Sequence, residues 1–126
     1  MTEFSVRLAN RPGQLAALAR LFTDAGIDIE ALAAISDDGQ FHIRIVVENT
    51  ARARRLLMNA DIAFDERPVL DTFIPRGDGG LAAISESLAH AGVNVESMYL
   101  LHTNAEGFHV AMTVSDADLA IQALAG

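Results

Sequence analysis

Ala25-Gly26-Ile27-Asp28-Ile29-Glu30 returns 66 positions later as Ala91-Gly92-Val93-Asn94-Val95-Glu96. The same offset lays Gly13-Gln14-Leu15-Ala16-Ala17 on Gly79-Gly80-Leu81-Ala82-Ala83. One residue inserted in the later turn then aligns Phe41-His42 with Phe108-His109, and Val47 with Val114. Matches this dense, in one order and with a single slip, mark an internal duplication. The expected units are residues 1–67 and 68–126.

Within a unit the hydrophobic period switches between two and 3.6. Phe4, Val6 and Leu8 alternate with Ser5 and Arg7, as in a half-buried strand. Pro12-Gly13 opens a helix whose apolar stripe is Leu15, Leu18, Ala19 and Phe22, and Gly26 closes it as a left-handed cap. Ile27, Ile29, Ala31, Ala33 and Ile35 return to period two, and Asp37-Asp38-Gly39 makes a hairpin turn into Phe41, Ile43, Ile45 and Val47. A second helix starts near Asn49 or Thr50, and Ile62 to Phe64 begin a fourth strand. The order βαββαβ predicts an α+β, ferredoxin-like unit, with two helices on one face of an antiparallel sheet. The second unit follows the same order to Gly126 and is expected to lack its last strand.

Bulk composition narrows the function. The chain has 126 residues, is 51% hydrophobic and carries only three prolines, so it should be globular. A net charge of −8 argues against nucleic acid or an anionic membrane as partner. The absence of cysteine excludes disulfides, iron–sulfur clusters and thiol nucleophiles. The N-terminus has neither a basic start nor a signal-length apolar run, and the longest apolar stretches are strand-sized, so a cytoplasmic protein is expected.

Asn10-Arg11-Pro12-Gly13-Gln14-Leu15, followed by Ala25-Gly26-Ile27-Asp28-Ile29-Glu30, resembles the signature of the ACT domain. That family's pattern is an Asn/Asp-Arg-Pro-Gly-x-Leu loop, a helix, and an Ala-Gly-Ile-Asn-Ile-like entry to the second strand. The resemblance extends to the second half, where Arg76-Gly77-Asp78-Gly79-Gly80-Leu81 puts Asp78 in the place of the family's proline. It implies a regulatory, allosteric module without catalytic activity that binds an amino acid or similar metabolite where two such units meet. By the same resemblance, Asn10 and the backbone of Arg11, Pro12, Gly13, Gln14 and Leu15 line the first loop. Asp78, Gly79, Gly80 and Leu81 form the second, and Asn94 and Val95, or Asp28 and Ile29, hold the ammonium from the partner copy. No cofactor and no metal are implied.

Physical chemistry makes such a loop a plausible carboxylate site. A glycine-led turn into a helix offers N–H groups unshielded by a Cβ at the positive end of the helix dipole. Asp78 would repel a carboxylate in the second loop, or meet an ammonium. The alternative from a different class is an interaction subunit of an amino-acid biosynthetic enzyme, with the loops retained for folding alone.

Other constellations are weaker. Gly77-Asp78-Gly79-Gly80-Leu81-Ala82 matches a dinucleotide fingerprint, but the following strand leads to a hairpin and leaves no room for a doubly wound sheet. An RNA-recognition sheet would carry aromatics where this one places Ser5, Arg7, His42, Arg44 and Glu48. His42, His90, His102 and His109 show no metal-ligand spacing. On the sheet face away from the helices, the alternation places Phe73, Met98, Leu100 and Ala111 in the second unit and Leu32, Ala34 and Val46 in the first. That apolar face, with the open edge of a three-stranded sheet, predicts a homodimer or larger assembly.

Overall fold

Phe4, Phe22, Ile43, Ile45 and Leu57 are fully buried and form the centre of the first core. The computed structural model describes residues 1–77 and 79–125. In chain order the elements are β1 (Thr2–Ala9), α1 (Gln14–Asp24), β2 (Ala31–Asp37), β3 (Gln40–Val47), α2 (Thr50–Asn59) and β4 (Phe64–Pro68). Then follow β5 (Leu70–Pro75), α3 (Gly80–His90), β6 (Val95–Thr103), β7 (Gly107–Val114) and α4 (Ala117–Ala125). The chain divides into two compact units, Met1–Arg67 and Pro68–Gly126.

The first sheet has the order β2-β3-β1-β4, with β3 antiparallel to both its neighbours. Its helices pack through the stripes that the periodicity marks. Leu18 and Phe22 of α1 and Ala53 and Leu57 of α2 are buried, whereas Leu15, at the start of its stripe, remains 38% exposed. Asn49 caps α2 by accepting from the Arg52 N–H at 3.2 Å. Asp38 and Gly39, with φ of 51° and 78°, join β2 to β3 in a two-residue turn whose central residues both need positive φ. The second sheet has the order β5-β7-β6, and its core gathers Ile74, Leu88, Val110, Met112 and Ala120. The fold is thus α+β and ferredoxin-like in both units, the second a strand shorter among the described residues.

Strand register corrects the expected composition of the outer sheet faces. Residues directly opposite each other on antiparallel strands share a face. Met98 and Leu100 stand opposite Met112 and Val110 of the second core, and Leu32 and Ala34 stand opposite Ile45 and Ile43 of the first. All four therefore lie on the helix-covered face. Phe73, Ala111 and Val46 do lie on the outer one, paired with His109, Tyr99 and Ala31. The reason is local: in the first unit residues 27–30 are not strand, so the alternation begun at Ile27 does not carry through to Ala31, and in the second a register shift between Val95 and Ser97 resets it. The outer face is consequently more polar, with Ser5, Arg7, His42 and Arg44 in the first unit and Asp71, Ser97, His102 and His109 in the second. No helix among the described residues is long and apolar enough to cross a membrane.

Candidate ligand-binding loops

The first loop leaves β1 at Ala9 and enters α1 through Gly13, whose φ of 88° only glycine adopts without strain. The Gly13 carbonyl accepts the Ala17 N–H at 3.0 Å, and the Arg11 N–H turns back to the Ala9 carbonyl at 2.9 Å. No side chain caps α1, and its first turn carries no acidic residue. The positive end of the helix dipole is therefore open to an external anion. A Cβ placed on Gly13 would meet nothing within 4 Å. The position a side chain would take at Gly13 is thus open, and Asn10, Arg11, Pro12 and Gly13 are all exposed.

Asn10 fixes the loop to the far end of β2. Its Nδ2 donates to Ser36 Oγ at 2.8 Å, and its backbone N–H donates to the Gly39 carbonyl at 3.2 Å. Ser36 and Gly39 escape motif reading because they lie outside the loop in sequence, although hairpin geometry returns β2 to that end of the unit.

The second loop keeps the backbone plan and changes the chemistry. Gly79, with φ of 64°, precedes α3, which likewise has no side-chain cap and no acidic residue in its first turn. Arg76 stands where the first unit has Asn10, and its N–H donates to the Glu106 carbonyl at 2.8 Å, as the Asn10 N–H does to Gly39. Its guanidinium donates to Thr103 Oγ1 at 3.0 Å and the Asn104 carbonyl at 2.9 Å, and lies 4.9 Å from the centre of the Phe108 ring. The 66-residue offset marks Arg76 as the structural counterpart of Asn10. Gly80 is required sterically: a Cβ there would run into the Pro75 carbonyl oxygen and come within 3.1 Å of Ile74 Cγ2. Leu81 is exposed, and Asp78 lies outside the described residues.

Asp28 and Ile29, like Asn94 and Val95, are exposed at the opposite pole of their own units. Each pair follows the C-terminus of an 11-residue helix whose N-terminus carries the loop. At about 1.5 Å per residue that helix separates the two groups by roughly 16 Å, farther than a free amino acid reaches. The structure therefore does not bring Asn10–Leu15 together with Asp28 and Ile29 within one unit, nor Gly79–Leu81 with Asn94 and Val95. Among the described residues, no three His, Asp or Glu side chains are grouped to hold a metal ion.

Comparison with known proteins agrees with the fold. Residues 2–59 match the family model of the ACT domain. A protein from Bacteroides thetaiotaomicron superposes with a TM-score of 0.85 at 24% identity, over 98% of this chain and 85% of that one. The ligand-free regulatory subunit of aspartate kinase from Thermus thermophilus gives 0.68 at 18% identity, over 98% and 90%. The regulatory subunit from Thermus flavus gives 0.65 at 13%, also over 98% and 90%. At these identities the likeness concerns the fold alone, and no curated protein matches the sequence. The ACT-domain pattern thus runs through β1, α1, β2, β3 and α2 of the first unit, and the same element order follows in residues 68–126.

Proposed function

We propose that this protein is a non-enzymatic regulatory module that binds an amino acid, or a similar small metabolite, through the loop Asn10–Leu15. The observation that carries the reading is the helix start at Gly13. It is uncapped, exposed, without an acidic residue in its first turn, and led by a glycine whose side-chain position is open. An α-carboxylate is favoured there by the N–H groups and the helix dipole. The ammonium needs an acceptor that the same unit holds at the wrong pole, so it is met by Asp28 and Ile29, or Asn94 and Val95, of another unit or another copy. Binding across such a contact favours the arrangement that presents both halves, by as much as the affinity differs between arrangements. The second loop, with Arg76 already engaged and Gly80 packed against Pro75, contributes less. The aspartate kinase regulatory subunits of like fold support a role in controlling an enzyme of amino-acid metabolism.

Melting curves of the chain with each of the twenty amino acids test the reading. A ligand at about 100 times its dissociation constant adds roughly 2.7 kcal/mol, and at least one amino acid should raise the melting temperature accordingly. Flat curves across all twenty at millimolar concentration favour an interaction subunit that binds no ligand.

A further inference from the structure

A groove of about 470 Å³ lies on the outer face of the first sheet, away from the loop helices. Its polar lining is Ser5, Arg7, His42, Arg44, Asp65 and Arg67. The charge distribution makes this unusual. All nine basic side chains of the protein are arginines, eight of them in residues 1–67 against ten carboxylates, while residues 68–126 carry one against seven. Three of the nine line this groove, with a single carboxylate among them.

Register explains how they meet. Ser5 stands opposite Arg44, and Arg7 opposite His42. Arg7 and Arg44 are thus diagonal neighbours on one face, about 7–8 Å apart at the backbone. Like charges so placed repel unless something compensates them. Arg44 Nη1 lies 3.8 Å from Glu3 Oε1, a carboxylate only 1% exposed. Arg67 also has a partner. Among the described residues Arg7 has no ion pair, and it is exposed to the groove. Two guanidinium forks, a hydroxyl and an imidazole give a surface rich in donors, and planar guanidinium forks match the paired oxygens of phosphate and carboxylate groups. The net charge of −8 disfavours an extended polyanion. A compact one fits.

We propose that this groove is a second ligand site, separate from the Gly13 loop, that takes a small multiply charged oxyanion, a phosphate or a dicarboxylate, on Arg7 and Arg44.

Two probes distinguish the sources: inorganic phosphate and malonate, each titrated into the full-length protein at ionic strength held constant with chloride and followed by NMR. The expected result is saturable movement of the Arg7 and His42 resonances with at least one probe. Phosphate alone identifies a phosphate site, malonate alone a dicarboxylate site, and both a site for either. Arg7→Gln should weaken binding at least about tenfold. Arg7→Lys, which keeps the charge and loses the fork, should fall between. Gly13→Asp should leave it unchanged, which separates this site from the loop. Movement no greater than chloride produces, or equal affinity in a folded Arg7→Gln variant, overturns the proposal.

Discussion

Asn10 Nδ2 donates to Ser36 Oγ at 2.8 Å, joining the glycine loop to the far end of β2 across 26 residues of chain. The bond lies at the surface, so its net worth falls toward the lower end of the 0.5–1.5 kcal/mol range of ordinary hydrogen bonds. Its consequence is positional. Ser36→Ala should change global stability by less than about 0.5 kcal/mol, yet speed amide exchange across Asn10–Gln14 and weaken amino-acid binding severalfold. Hydrogen exchange with calorimetry on the variant checks both.

Gly80 and Gln14 occupy equivalent places in the two units but answer to different constraints. Gly80→Ala should cost about 1–3 kcal/mol, because the new Cβ meets the backbone oxygen of Pro75, which cannot rotate away. Gln14→Ala, at an ordinary helix position, should stay within about 0.5 kcal/mol. Urea denaturation of both variants measures the contrast.

Arg54 Nε and Nη2 donate to Glu66 at 3.0 and 2.8 Å, tying α2 to β4. That hydrogen bond, more than the charge attraction beside it, holds the Glu66 carboxyl below its ordinary value. A depressed folded-state value gives stability that is present above the unfolded value and lost as pH falls through the folded one. Glu66→Gln should therefore be slightly less stable than the wild type at about pH 7, and the difference should shrink as pH falls through the folded-state value. Paired denaturation curves of the two proteins across the acid range read it directly.

In the first unit β1 is flanked by β3 and β4; in the second, the equivalent β5 pairs with β7 alone among the described residues. A strand edge left open is a template for another chain. Sedimentation at micromolar concentration should reveal a homodimer or larger species rather than one at the 13.4 kDa of the single chain. A single species at chain mass, unchanged by ligand, would contradict this.

The duplication, the element order and the hairpin turn were legible in the sequence because each rests on local chemistry. Gly13 and Gly26 require positive φ, and Asp38-Gly39 can make the two-residue turn. The outer sheet faces were not legible. Four non-strand residues, 27–30, reset the alternation in the first unit and a register shift between Val95 and Ser97 resets it in the second, and only the pairing of Leu32 with Ile45 and of Met98 with Met112 reveals it. Loop positions follow from the family pattern. Ser36 joins them only through hairpin folding, and Arg76 only through the repeat offset. The groove at Arg7 needs the β1–β3 register, since its arginines are far apart in sequence.

The claim that the first loop holds the ligand meets its most direct test in Gly13→Asp. Gly13 has no neighbour within 4 Å of a Cβ, so the substitution costs left-handed strain of about 1–2 kcal/mol and no clash. It also sets a negative side chain where the ligand carboxylate would sit. Calorimetric titration with the amino acid that most raises the melting temperature should give saturable binding to the wild type and none to the variant, whose circular dichroism remains native. Unchanged affinity in the folded variant would remove Gly13 from the site and contradict the account.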